Sequence, residues 1–221
     1  MIVIPPMPIN EAELIQCSIP EIDVSASESA WNAAADYAEK AVVVYQKVRY
    51  ECIVAGVHSS PPTEAPDRWL VLRPSNRWAM FRHLTNDATE GISPLTFTLK
   101  PGKRFDALFL RGVQADQVDV ELKAGSAVIR TYTQKLNARS TRTWSDYFFG
   151  DFPQIATVLL HDLPPYGGAE IKVTLTRNGG RKVRLEHAGV GRSVRLGHAE
   201  WGPRNDALGF SVIDRDEWGG I

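Results

Sequence analysis

The residues that could perform catalysis or bind a metal are few in this sequence, and their spacing is poor. His161 and Asp162 are adjacent at the end of an apolar run. Neighbouring side chains on a strand point to opposite faces, so we expect no joint acid–base role for this pair. His198 and Glu200 share a face two residues apart, but no third ligand stands at a spacing typical of zinc sites. A glycosidase needs two carboxylates in one cleft, and the sequence offers only formal candidates: Asp146, Asp151 and Asp162. We therefore predict a protein that is not an enzyme and has no cofactor or metal.

Aromatic side chains are the other residues that could bind a ligand, because their flat faces stack on sugar rings and anchor protein interfaces. Trp31, Tyr37, Tyr50 and Trp69 could form an exposed row that contacts a glycan or a partner protein. A second group lies in TWSDYFFGDFP, residues 143–153, and includes Trp144 and Tyr147. This run is either an exposed patch on a loop or a cap over one open end of a core, since patches this apolar are seldom left bare.

Basic residues are concentrated between positions 177 and 195. The candidate interface charges are Arg177, Arg181, Lys182 and Arg184. They form either a solvated hairpin face or a surface on which an acidic arm or a neighbouring subunit docks. The net charge is −1, and aromatic residues are not interleaved with these charges, so we do not expect nucleic acid as a partner.

Composition and length are those of a globular protein. The chain has 221 residues, of which 43% are hydrophobic, so it can bury a substantial core. No apolar stretch approaches the roughly 20 residues that a membrane-spanning helix needs. The first residues lack the features of a signal peptide, so we expect synthesis in the cytoplasm, where Cys17 and Cys52 would stay reduced.

Three regions are predicted along the chain. Residues 1–30 contain five acidic residues, no Lys or Arg and four prolines, which is typical of an extended arm lying over a surface. We expect the remaining chain to fold without this arm. Residues 31–88 form a small, aromatic-rich β module, and residues 89–221 form a β-sandwich domain. Within the module, the apolar spacing from Trp31 to Val42 behind a Ser25/Glu28 capping box indicates a helix, whereas the period-two pattern from Val42 to Val54 predicts a strand.

Short alternating runs dominate the sandwich region. Residues 95–100, 118–123 and 171–176 each alternate apolar and polar side chains, as strands with one solvent-exposed face do. RFDALFLRGV, residues 104–113, has apolar residues at both odd and even positions, as a strand covered on both faces does. It is predicted to be the centre of the core. Residues 124–126 and 178–180 supply glycine or asparagine for tight hairpins. The pattern predicts a mostly β fold, an antiparallel β-sandwich of the jelly-roll or galactose-binding-like kind.

The segment Pro74-Ser-Asn-Arg-Trp-Ala-Met-Phe81 resembles a signature of a family of phage tail and virion proteins. Asp106–Val113, Gly191–Gly197 and Val212–Asp214 resemble later elements of the same family. The resemblance implies a structural protein of the tail tip or baseplate in the virion, whose partners are other tail proteins and copies of itself. It marks Asn76, Arg77, Trp78 and Phe81 as structural residues, and we expect Trp78 and Phe81 to lie in the core.

The spacing of six residues further upstream resembles the aromatic framework of small chitin-binding-type carbohydrate modules: Trp31, Tyr37, Val44, Tyr50, Pro66 and Trp69. In that pattern the segment from Trp31 to Ala41 is extended and not helical, so the sequence leaves both conformations open. The resemblance implies an alternative function beside virion assembly, namely contact with a polysaccharide on the host surface.

Overall fold

The structure is a computed structural model that describes residues 2–82, 87–137, 143–149 and 155–195. The chain divides into two units, one made of residues 4–193 and the other of residues 1–3 with 194–221. In the described part of the second unit, β1 (Ile2–Val3) pairs antiparallel with β18 (Val194–Arg195). All other elements belong to the larger unit.

Two sheets and a short ladder form most of the larger unit. A five-stranded antiparallel sheet consists of β2 (Leu14–Cys17), β10 (Leu95–Leu99), β12 (Gln117–Ala124), β13 (Ala127–Lys135) and β15 (Glu170–Thr176). Its strand order is β13-β12-β15-β10-β2. A three-stranded antiparallel sheet has β11 (Ala107–Arg111) between β14 (Thr157–Leu160) and β17 (His187–Gly191). The short ladder pairs β9 (Thr89–Ile92) with β16 (Lys182–Leu185).

The two sheets bury their apolar side chains in one common core. Alternate residues of the five-stranded sheet meet those of the three-stranded sheet in a single cluster of buried side chains, which includes Leu95, Phe97, Leu99, Val118, Val120, Leu122, Ile171, Val173, Leu175, Leu108, Leu110, Val158, Ala188 and Val190. Two sheets that share one apolar layer form a sandwich. The predicted mostly β, antiparallel sandwich fold is therefore confirmed.

A smaller sheet with its own core precedes the sandwich. Its order is β3 (Glu28–Ala30), β5 (Val42–Tyr45), β6 (Val48–Cys52) and β8 (Trp69–Pro74), with β3 parallel to β5 and the other neighbours antiparallel. β4 (Asp36–Tyr37) pairs with β7 (Gly56–Val57) beside it. The core of this module consists of Tyr37, Val43, Tyr50, Cys52, Ala65 and Trp69.

Helical structure is sparse in the described residues. The helices are α1 (Asn76–Ala79) and α2 (Trp144–Phe149), and 3-10 turns cover Val24–Ala26 and Asn178–Gly180. None of the described helices has the length and hydropathy needed to cross a membrane.

The segment from Trp31 to Val54 follows the extended alternative and contains a hairpin. Between Trp31 and Ala41 the chain forms turns and β4, so the helical interpretation is wrong. The single strand predicted from Val42 to Val54 is also wrong, because Gln46 and Lys47 have φ values of 47° and 70° and form a tight turn between β5 and β6. Val43 pairs with Tyr50 and Val44 with Arg49, so the turn places the even-numbered residues of β5 and β6 on opposite faces, although apolar residues keep a period of two along the sequence.

The other strand predictions in the described sandwich are largely confirmed. β11 is the central strand of its sheet, and Gly125, with φ of 60°, turns β12 into β13. The hairpin predicted at residues 178–180 is wrong. A 3-10 turn does occur there, but β16 pairs with β9 and not with the preceding β15.

The acidic N-terminal segment lies on the chain's own surface. It supplies one strand to the five-stranded sheet and one to the smaller sheet. Residues Leu14–Cys17 form the edge strand β2 beside β10, and Met7 N–H donates to the Val190 carbonyl over 2.9 Å. Glu28–Ala30 form β3 of the smaller sheet. An arm that supplies an edge strand is part of the fold, so we no longer expect the remaining chain to fold well without it.

Candidate functional site

Helix α2 carries a cluster of four exposed aromatic side chains, which we call the α2 patch: Trp144, Tyr147, Phe148 and Phe149. Their exposed fractions are 79%, 56%, 66% and 85%. The helix begins with the Tyr147 N–H donating to the Thr143 carbonyl, and residues at i, i+3 and i+4 share a helix face. The described residues of this run, 143–149, fit the exposed patch and not the cap over a core, while residues 150–153 lie outside the described residues.

The rings of the α2 patch are arranged at several angles. The Trp144 and Phe148 rings are 6.2 Å apart between centroids, and their planes differ by 19°. Tyr147 meets Phe148 edge-on at 5.2 Å, and Phe149 lies 6.4 Å from Phe148 at 53°. The Trp144 and Phe148 rings, with Tyr147 beside them, form an apolar surface. Such a surface can stack on a flat ligand or pack against an apolar protein surface.

Three of the four aromatic residues expected in an exposed glycan-binding row are buried. Tyr37, Tyr50 and Trp69 are only 6%, 5% and 2% exposed and form the core of the smaller module. Tyr37 and Trp69 meet edge-on at 5.2 Å, and His58 packs against both rings. The expected exposed row is therefore wrong for these three residues, whose large side chains hold a core that few aliphatic residues could fill.

Trp31, the fourth residue of the expected row, lies at the edge of the same module. Its ring is half-buried and meets Tyr45 edge-on at a centroid distance of 5.2 Å. A single partly covered indole does not make a stacking platform. The α2 patch is thus where the described aromatic side chains are both exposed and clustered.

The signature segment Pro74–Phe81 is a structural junction between the smaller module, the N-terminal segment and the sandwich. The Trp78 indole N–H donates to Glu21 Oε2 over 2.7 Å, the Ser75 hydroxyl donates to Glu21 Oε1 over 3.1 Å, and Arg77 lies 3.8 Å from the same carboxylate. Lys47 Nζ lies 4.0 Å above the Trp78 ring, a cation–π contact. The acidic residue Glu21 therefore connects the signature to the N-terminal segment.

On its other side, the signature segment binds the sandwich. Asn76 Nδ2 donates to the Glu90 carbonyl over 2.7 Å, and the Glu90 N–H donates to Asn76 Oδ1 over 2.8 Å. Trp78 is 5% exposed, and Phe81 packs between Trp78 and Phe97. The prediction that Trp78 belongs to the core is confirmed, while Phe81 is half-buried against it.

The basic residues are divided between the turn and strand β16. Arg177 Nη1 donates to the Lys182 carbonyl over 2.7 Å and braces the turn, while Arg181 is exposed. Arg184 Nη2 lies 3.2 Å from Glu186 Oε1. Docking of an acidic arm or a neighbouring subunit on this basic surface stays a prediction.

A polar groove of 710 Å³ runs between the N-terminal segment, the smaller module and the β9/β16 ladder. Charged and amide side chains line it: Arg49, Arg73, Asn76, Glu90, Lys182 and Arg184. Glu28 forms an ion pair with Arg49 there, and hydrogen bonds from Ser25 lower the pKa of the nearby Asp23 carboxyl. No aromatic ring is among the described lining residues, so the groove lacks a stacking surface for a sugar.

The expected geometry of His161 and Asp162 is corrected by the structure. Asp162 has φ of 60°, which turns its carboxylate back to within 2.7 Å of His161 Nδ1, so the two side chains meet although they are adjacent. Both are exposed, at 47% and 62% of their side-chain area. In the part of the chain that the structure describes, no three His, Cys, Asp or Glu side chains cluster as a metal site would require. Asp151, His198 and Glu200 lie outside the described residues, as does the side chain of Asp146.

Strand β8 carries a second exposed apolar surface that the sequence analysis missed. Leu70, Val71 and Leu72 are 51%, 61% and 41% exposed. Three consecutive apolar residues predict a strand covered on both faces, so the sequence pattern alone points to the wrong environment.

No protein-family model and no curated protein sequence matches this chain. Among solved structures, it is similar to a Ruminococcus gnavus GH29 fucosidase in complex with fucose, with 16% identity, a TM-score of 0.36, and coverage of 53% of this chain and 22% of the fucosidase. An F5/8 type C domain from Bacteroides fragilis matches with 6% identity, a TM-score of 0.34, and coverage of 52% of this chain and 78% of that domain. The Clostridium perfringens module CpGH89CBM32-6 matches with 9% identity, a TM-score of 0.34, and coverage of 67% of this chain and 96% of that module. At these values the likenesses establish neither ligand nor activity.

Proposed function

We propose that this chain is a non-catalytic binding protein that contacts a carbohydrate surface through the α2 patch. The observation that carries the proposal is the exposure of Trp144, Tyr147, Phe148 and Phe149 on one short helix. An aromatic side chain offers about 150–250 Å² to a partner, and soluble monomers rarely leave a contiguous apolar patch larger than a few hundred Å² without a functional reason.

Carbohydrates suit this patch because a pyranose ring presents a rim of C–H groups with partial positive charge. The faces of aromatic rings carry partial negative charge and attract such groups. Trp144 and Phe148, with planes 19° apart, present similarly oriented faces to such groups. The polar groove has hydrogen-bonding groups without a stacking ring, so it is the weaker candidate of the two.

The test is calorimetric titration of the chain with chitin oligosaccharides and with bacterial surface polysaccharide. We expect Trp144→Ala to weaken binding about tenfold, since one stacked ring contributes on the order of 1 kcal/mol. Tyr166→Ala is the matched control, because Tyr166 is a 49% exposed aromatic residue in the loop after β14. An absence of heat with every glycan, or equal weakening by both substitutions, would contradict the proposal.

A second candidate function is assembly into a phage tail tip or baseplate. Phe148 and Phe149 have no polar atom on their rings and are 66% and 85% exposed, which favours an apolar protein surface as the occupant. The resemblance of Pro74–Phe81 to virion proteins supports the same function. Mass spectrometry of purified particles tests it: the chain should be present in stoichiometric copies, and its absence from the particle would exclude this function.

A further inference from the structure

The turn after β15 contains the only asparagine in the sequence that a glycine follows. The chain has seven asparagines, and Gly179 follows Asn178, whereas each of the other six precedes a residue with a side chain. Asparagine is a thermolabile residue, because the nitrogen of the next peptide group can attack its side-chain carbonyl and release the amide. A glycine at the next position favours this attack, since no Cβ stands beside the nitrogen and the backbone rotates freely.

The structure leaves the reacting part of this turn open to solvent. Asn178, Gly179 and Gly180 are all exposed and form a single 3-10 turn. A Cβ built on either glycine would meet no other atom within 4 Å. The φ values of Gly179 and Gly180 are 73° and 63°, a region that glycine populates without steric cost. The Gly179 nitrogen therefore has room to move toward the Asn178 side chain.

The residues on both sides of the turn are held in place. The Asn178 N–H donates to Asp116 Oδ2 over 2.7 Å, and beyond the turn the Ser93 N–H donates to the Arg181 carbonyl over 3.3 Å. The first contact fixes Asn178 on its N-terminal side. The bond that must rotate for the attack is the Cα–C bond of Asn178, which leads to Gly179. The motion can thus occur within the turn while its flanks stay anchored.

Two other asparagines have side chains that are held by hydrogen bonds. Asn76 uses both its Nδ2 and its Oδ1 to bind the backbone of Glu90, and Asn137 Nδ2 donates to Asp116 Oδ1. Such bonds restrict the rotation that brings a side-chain carbonyl against the next peptide nitrogen. Asn76 and Asn137 therefore serve as internal standards within the same chain.

We propose that Asn178 is a site of spontaneous deamidation in the folded chain. Hydroxide takes the proton of the Gly179 N–H, and the nitrogen forms a bond to Asn178 Cγ. The bond between Cγ and Nδ2 breaks, and the departing nitrogen takes a proton from water and leaves as ammonia, which restores the hydroxide. Water then opens the resulting succinimide ring at either carbonyl and gives aspartate or isoaspartate at position 178.

The product adds a negative charge to the basic surface. The new carboxylate follows Arg177 and lies three and four residues before Arg181 and Lys182, and it lowers the formal net charge of −1 by one further unit. The isoaspartate product also routes the backbone through the former side chain and lengthens the turn. Deamidation therefore weakens the attraction of this surface for an acidic partner.

Peptide mapping by mass spectrometry tests the proposal on the full chain, after incubation in mildly alkaline buffer and digestion under acidic conditions. We expect most of the Asn178 peptide to gain the mass that converts an amide into an acid before the Asn76 and Asn137 peptides change measurably. Ion-exchange chromatography of the intact chain should show a more acidic species that grows at the same rate.

Two glycine variants separate the proposed chemistry from a general stiffening of the turn. Gly179→Ala should slow the reaction several-fold, because it places a Cβ beside the attacking nitrogen. Gly180→Ala is the matched control: its φ is also positive and its surroundings are equally open, but it lies one residue away from that nitrogen, so the reaction should continue.

An Asn178 that stays intact in the folded chain would overturn the proposal, and the same incubation in urea shows whether the fold protects it. Faster loss at Asn76 or Asn137, or equal slowing by Gly179→Ala and Gly180→Ala, would overturn it as well.

Discussion

Two short aromatic segments of this chain, Pro74–Phe81 and Trp144–Phe149, have similar composition and opposite environments. Trp78 is 5% exposed and donates its indole N–H to Glu21, whereas Trp144 is 79% exposed. The first segment joins three parts of the fold, and the second presents its rings to solvent. The comparison shows that a polar partner and covering strands, rather than aromatic content, decide whether an aromatic run supports the fold or can bind.

The largest expected effect comes from deleting one indole in each segment. Trp78→Ala should lower the free energy of unfolding by about 3–5 kcal/mol, because it leaves a cavity in the core. Trp144→Ala should change the free energy of unfolding by less than about 0.5 kcal/mol, since little of the ring is buried. Urea denaturation followed by circular dichroism measures both, and equal losses would show that the two segments do not differ in role.

A smaller effect should follow removal of the carboxylate that links the signature to the N-terminal segment. Glu21→Ala deprives the Trp78 N–H and the Ser75 hydroxyl of their acceptor, and we expect a loss of about 1–3 kcal/mol in unfolding free energy. Glu11→Ala, in the same acidic segment and exposed, is the control and should have almost no effect. If Glu21→Ala is as stable as the control, the junction does not depend on this contact.

The smaller module should lose stability at alkaline pH. Burial raises the pKa of the Cys52 thiol and of the Tyr50 hydroxyl, so the folded chain retains protons that the unfolded chain releases. Stability is therefore full below the unfolded-chain pKa values, about 8.5 and 10, and falls as pH rises through the higher folded-state values. Urea midpoints at pH 7 and in mildly alkaline buffer should show this decline, and Cys52→Ala should reduce it. A decline of the same size in Cys52→Ala would exclude the thiol as a cause.

The smallest effect concerns thiol reactivity. Cys52 is fully buried with a raised pKa, whereas Cys17 is half-buried on the edge strand β2. An aromatic disulfide reagent should therefore label Cys17 first, because thiolate character and access control the rate. Faster labelling of Cys52 would show that the smaller core opens more readily than the edge of the sandwich.

Much of the sandwich could be predicted from sequence because each strand buries one face and exposes the other to solvent. In β12, Val118, Val120 and Leu122 are buried and the residues between them are not, as their alternation indicates. The Gln46–Lys47 turn could not be seen in this way, because apolar residues stand at even positions on both sides of it, although the turn places those positions on opposite faces of the sheet. The partner of β16 depends on contacts far along the chain, which local turn residues do not encode.

The candidate site was predicted only in part. Trp144 and Tyr147 were identified by type, but their exposure depends on tertiary packing, which composition does not report. Tyr37, Tyr50 and Trp69 have the same chemistry and are buried, because a small module needs large side chains to fill its core. In the described residues β8 is the last strand of the smaller sheet, and no pattern within residues 69–74 distinguishes an edge strand from a central one.

The measurement that tests the central claim most directly is fluorine NMR of the chain labelled with 5-fluorotryptophan, recorded with and without chitin oligosaccharide. Resonances are assigned by substituting each tryptophan with phenylalanine in turn. We predict that the Trp144 resonance moves on addition of the sugar while those of Trp69 and Trp78 stay in place. Movement of the Trp69 resonance, or a spectrum in which the Trp144 resonance does not move, would contradict glycan binding by the α2 patch.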